Sequence, residues 1–144
     1  MDSKNIVSKK IDTLKDKCKL YSEYLGHSIF SKPVTQDDLK FWEQENETVL
    51  PDSLKDFLLV SNGLTVDDQL IKIFPIQRMK GYEQPYASVP EDLVVIGTVL
   101  GDDEKVYFSR KTGKFMMDEQ GSIQNYESMA EILDWVIQML SYSC

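Results

Sequence analysis

Over the first quarter of the chain, apolar residues recur at alternating intervals of four and three. Val7, Ile11, Leu14, Cys18, Tyr21 and Leu25 make one stripe on a Lys- and Asp-rich segment. Such spacing keeps side chains on one face of a helix. It predicts a helix over 3–25 inside a long N-terminal element, 1–26, that Gly26 ends. A helix of that size reaches about 33 Å. The stripe has heptad character, so it can pack across a domain body or pair with a second copy as a coiled coil. Ile29 and Phe30 then turn back toward the core. Thr35-Gln36-Asp37-Asp38 has the form of a capping box, a hydroxyl followed three residues later by a carboxylate. The helix it opens carries Leu39, Trp42 and Asn46 on one side, with Phe41 offset. Leu50-Pro51 precedes a third, shorter helix of about three turns, since proline lacks an N–H and sits well at a helix start. Asp52 or Ser53 can cap that helix. Leu54, Phe57, Leu58 and Ser61 share its inner face, and Asn62-Gly63 reads as its stop.

Past Gly63 the period changes to that of strands. Residues 70–74, LIKIF, alternate weakly and are rich in β-branched side chains, and Pro75 ends the run. Residues 77–90 hold Gly81, Pro85 and Pro90 and read as a long loop. Residues 93–100 form the strongest strand, broken only by Gly97, which predicts a bulge or a close approach. Strands at 105–109, 114–117 and 122–124 follow, joined by turns at Gly101-Asp102-Asp103, Arg110-Lys111-Thr112-Gly113 and 118–121. Ser128-Met129-Ala130-Glu131 is a second capping box, and its helix turns Met129, Ile132 and Val136 inward with Trp135 beside them. Helices, then hairpin-linked strands, then a helix imply α+β: a single domain over 1–144, with an antiparallel sheet packed against helices.

The order of these pieces is similar to a known family. Leu50-Pro51, the short helix with Phe57-Leu58, and Asn62-Gly63 resemble the start of the SMI1/KNR4 domain of the SUKH superfamily. Residues 93–113, LVVIGTVLGDDEKVYFSRKTG, resemble its second half, and Ile132, Trp135 and Val136 its closing helix. The resemblance covers roughly residues 35 to 140. It implies an SMI1/KNR4-like fold. It also implies one of two roles: a bacterial immunity protein that binds and neutralises a toxin, nucleases among them, or a regulatory or scaffold adaptor without a toxin partner.

Charge sharpens this. The chain of 144 residues has a formal net charge of −8, divided into +2 over residues 1–40 and −10 over 41–144. An acidic body repels phosphate backbones and anionic headgroups, which disfavours nucleic-acid and membrane partners and favours a basic protein. The N-terminus lacks the apolar core of a signal peptide, and the two cysteines, Cys18 and Cys144, form no CxxC pair. A reducing, cytoplasmic setting is the expectation.

No cluster demands catalysis. His27 is the single histidine, with no serine elbow near it, and there is no phosphate-binding glycine loop. Asp67-Asp68 and Asp102-Asp103-Glu104 lack the alternating ligand spacing of a calcium loop. No metal, cofactor or catalytic residue is therefore expected, and the chain reads as a protein-binding module. Acidic and tyrosine side chains in its turns are the candidate contacts: Asp67, Asp68, Tyr82, Glu83, Tyr86, Asp102, Asp103 and Glu104. Aromatics anchor such interfaces and charges steer the encounter. The partner is a basic toxin or another protein, and the chain a monomer or a homodimer.

Overall fold

The computed structural model describes residues 3–21, 23, 28–68, 70–79, 92–100, 104–119 and 122–143. Helix α1, Ser3–Leu20, buries Val7, Ile11 and Leu14 completely, with Cys18 packed at the core's margin. The stripe is spent inside the chain, on α3 (Asp52–Leu58) and α4 (Met129–Ser143). Lys10 pairs with Asp134 and Lys17 donates to Ser141, so equal steps along both helices keep contact and the two run parallel. The helix ends at Leu20. Leu25, Gly26 and His27 lie outside the described residues.

Helix α2, Gln36–Asn46, starts with the expected capping box. The Asp38 N–H donates to Thr35 Oγ1 at 3.1 Å, and the Thr35 N–H donates to Asp38 Oδ2 at 3.0 Å. Leu39 and Trp42 are buried, and the Trp42 indole N–H donates to the Met79 carbonyl at 2.8 Å. Phe41 is exposed, as its offset implied.

In α3 the inner face is as expected, with Leu54, Phe57, Leu58 and Ser61 buried, but the helix has only seven residues. Neither Asp52 nor Ser53 caps it. Pro51 takes the N-cap position, and Ser53 Oγ instead accepts the Met129 N–H of α4 at 3.0 Å. Asn62-Gly63 is not the immediate stop either, because the helix ends at Leu58. Asn62 is a clamp: its Oδ1 accepts the Ile76 N–H at 2.8 Å and its Nδ2 donates to Gln77 at 3.0 Å. Those partners belong to a 3₁₀ turn, Ile76–Arg78, at the start of the expected long loop.

Among the described residues, seven strands form one antiparallel sheet in sequence order: β1 (Ile29–Phe30), β2 (Leu64–Val66), β3 (Ile71–Ile73), β4 (Leu93–Val99), β5 (Glu104–Ser109), β6 (Phe115–Glu119) and β7 (Ser122–Tyr126). β1 and β2 were not expected as strands. At two and three residues they are too short for period two to show. Gly97 meets both expectations. The β4–β5 register shifts between Val95 and Gly97, and a Cβ at Gly97 would overlap the Lys72 carbonyl oxygen of β3. One face of the sheet supplies the core: Leu64, Val66, Ile71, Ile73, Val94, Val106, Phe108, Phe115 and Met117 are all buried. Phe108 and Phe115 sit opposite each other on β5 and β6, edge to face with ring centres 6.5 Å apart.

Candidate functional site

Antiparallel hairpins place alternate turns at opposite ends of the sheet. The links β2–β3, β4–β5 and β6–β7 fall at one end, and β3–β4 and β5–β6 at the other. At the first end, Val66, Ile71, Val99 and Glu104 lie in one cross-strand row. Asp67 follows Val66 directly, so Asp67 and Glu104 share this end across three strand spacings, about 14 Å at 4.8 Å each. The Leu100 N–H donates to the Leu70 carbonyl at 3.0 Å, which ties the two turns together. Asp118 and Glu119, last in β6, join the same end. Lys72 and Lys105 stand one residue further in along their strands.

The Asp67-Asp68 turn has both residues in the left-handed region, at φ +52° and +57°, and Leu100 is at +53°. Aspartate tolerates this better than most residues, because its short side chain bonds locally. The Asp67 N–H is held by Ser28 Oγ at 3.0 Å. Asp67 is half-buried and Asp68 exposed.

Of the residues named from sequence, Asp67, Asp68 and Glu104 are therefore brought to one end. Asp102 and Asp103 lie outside the described residues, as do Tyr82, Glu83 and Tyr86. Met79 and Asp92, which bracket the segment containing the two tyrosines, are both at the opposite end from Asp67 and Asp68. The opposite end is also where Lys32, Arg78, Arg110, Lys111 and Lys114 gather. Two open grooves, of about 390 and 410 Å³, lie at the α2–α3 corner and beside Asp92, Ser109 and Lys114, and contain none of the named residues.

Residues 33–135 match the SMI1 / KNR4 family (SUKH-1). The chain belongs to that family. No curated protein matches the chain. The matched span begins just before α2, so α1 precedes it while packing against α3 and α4.

Within this SMI1/KNR4 domain the chemistry of the carboxylates is that of acceptors. Tyr107 donates to Asp118 Oδ2 at 2.9 Å. Burial, then the Asp118 carboxylate, pushes the Tyr107 phenol up to about 12. Glu119 accepts from the Trp135 indole at 2.7 Å and from the Tyr126 hydroxyl at 3.4 Å, and burial and that carboxylate push Tyr126 up to about 12 as well. Both phenols stay protonated donors at neutral pH. The sequence reading missed these pairs, although strand alternation places Tyr107 and Asp118 on one face. The Cys18 thiol is pushed up, chiefly by burial, which lowers its thiolate fraction and its value as a nucleophile. Among the described residues no three His, Cys, Asp or Glu side chains are grouped to hold a metal. A separation of about 14 Å between the Asp67 and Glu104 strands exceeds any shared coordination, where ligand bonds are about 2.0–2.6 Å. No helix among the described residues is long and apolar enough to cross a membrane.

Proposed function

We propose that this SMI1/KNR4 protein is a non-catalytic binding module, an immunity protein that neutralises a basic bacterial toxin in the cytoplasm by direct contact. The observation that carries the proposal is the set of carboxylates, Asp67, Asp68 and Glu104, at one end of the sheet. Glu104 stands three strands from the Asp67-Asp68 turn, too far for shared acid–base or metal chemistry with it, and the three together contribute a negative field. A field of that kind steers a partner whose own site is built for phosphate, as a nuclease site is.

Co-expression with the product of the adjacent gene tests this. The expected result is rescue of growth and a complex that survives purification. Its association rate should fall at least tenfold between low salt and about 0.5 M salt, where screening acts over only a few ångströms. Growth arrest despite co-expression, with no complex, would favour the regulatory or scaffold adaptor.

A further inference from the structure

Four hydroxyl side chains are buried among the described residues: Thr48, Ser61, Thr98 and Ser109. Three of them are satisfied within the chain. Thr48 donates to the Asn46 carbonyl at 2.8 Å, Ser61 accepts the Ser31 N–H at 3.0 Å, and Ser109 accepts the Lys111 N–H at 3.2 Å. Thr98 differs. It is 5% exposed, and its Oγ1 has no hydrogen-bond partner. A buried polar group without a partner destabilises the fold, so a hydroxyl at this position calls for a reason. The sheet register shows what surrounds it. Thr98 of β4 lies directly between Lys72 of β3 and Lys105 of β5. Residues opposite each other in antiparallel strands share a face. All three therefore project from the face away from the core, while Ile71, Val99 and Val106 point into it. From one strand to the next their β-carbons are about 5 Å apart, within the reach of a lysine side chain. Asp118 follows on β6, but its Oδ2 already accepts the Tyr107 hydroxyl at 2.9 Å.

We infer that Thr98, Lys72 and Lys105 form a binding site for a small oxyanion, a phosphate or a carboxylate. The hydroxyl supplies the central donor, and an ammonium group on either side supplies charge. Hydrogen bonds between charged groups are shorter and stronger than neutral ones. Both lysines hold other interactions as well. An ammonium has three donors, so one that is already engaged can still donate to the ion. Both residues are half-buried on flexible four-carbon stems, which can swing aside to admit it. The net charge of −8 does not prevent this, because charges beyond about 8 Å are screened at physiological ionic strength. A single oxyanion needs only the two charges beside Thr98, unlike a nucleic-acid backbone, which the acidic body repels.

Titration of the full chain with inorganic phosphate, followed by amide NMR at constant ionic strength, tests the inference. It needs no toxin, so its failure leaves the toxin reading standing. The amides of Lys72, Thr98 and Lys105 should shift together and saturate in the millimolar range. Thr98→Val keeps the shape and removes only the hydroxyl. It should bind phosphate about tenfold more weakly, with a denaturant midpoint equal to or above that of the wild type. Thr98→Ser, which keeps the hydroxyl, should bind as the wild type does. Lys72→Gln and Lys105→Gln should each weaken binding about tenfold, and they carry the test if Thr98→Val lacks wild-type circular dichroism. Acetate separates the two sources of the oxyanion. Saturation by acetate assigns the site to a carboxylate side chain of a partner protein, and saturation by phosphate alone assigns it to the free ion. Shifts that do not saturate with either, or a phosphate affinity that a folded Thr98→Val or lysine variant leaves unchanged, mark an adventitious ion only and overturn the inference.

Discussion

At one end of the sheet the positions with positive φ are held by Gly63, at +85°, and Gly113, at +72°. At the other they are held by Asp67, Asp68 and Leu100. The left-handed conformation destabilises a residue with a Cβ by roughly 1–2 kcal/mol, less for aspartate, and glycine avoids this. Close packing requires the glycine at Gly63, whereas a Cβ on Gly113 would meet nothing within 4 Å. A Cβ on Gly63 would lie 2.5 Å from the Ile73 carbonyl oxygen, and Asn62, Gln77, Trp42 and Met79 exchange hydrogen bonds around it. The acidic end keeps carboxylates where folding alone would favour glycine. Close packing sets the residue at Gly63, whereas the Asp67-Asp68 turn keeps carboxylates in a left-handed conformation.

The largest effect that could break this comparison is at Gly63. Gly63→Ala adds both strain and overlap, and should destabilise the protein by about 3 kcal/mol, read as a lower denaturant midpoint. An unchanged midpoint would mean that the glycine end is not closely packed. Trp42→Phe should cost about 1–3 kcal/mol, because the buried Met79 carbonyl loses its donor. At the acidic end the sign reverses. Asp68→Gly should leave stability unchanged or raise it by up to about 1 kcal/mol, while slowing partner association. A clear loss of stability would show that the aspartate has a structural role.

The smallest effect sharpens the picture of the β6 carboxylates. Tyr107 and Tyr126 titrate at about 12 in the folded chain, against about 10 when unfolded. Between those values the unfolded chain has released protons that the folded chain still holds, so stability falls as pH rises through this window. Below about pH 10 the contribution is fully present. Unfolding titrations on either side of the window, compared with Tyr107→Phe and Tyr126→Phe, measure it, and phenolate absorbance reports the two groups directly.

How much was legible in the sequence follows from how local each signal is. The Thr35–Asp38 box, the α4 stripe and the Gly97 interruption depend on neighbours in sequence, and each is found in the fold. Ser53 and Asn62 were assigned to their own helix, but their partners, Met129 and Ile76, come from other elements. Asp67, Asp68 and Glu104 could be named as acidic turn residues from sequence. Their shared end required the strand order, which two unrecognised strands, β1 and β2, concealed.

The central claim is that carboxylates at one end of the sheet attract a basic toxin. The most direct measurement is the association rate of the toxin with Asp67→Lys/Asp68→Lys/Glu104→Lys, compared with the unaltered protein at low salt. The account predicts a rate at least tenfold lower with circular dichroism unchanged. An equal rate, for a variant that is fully folded, would contradict it.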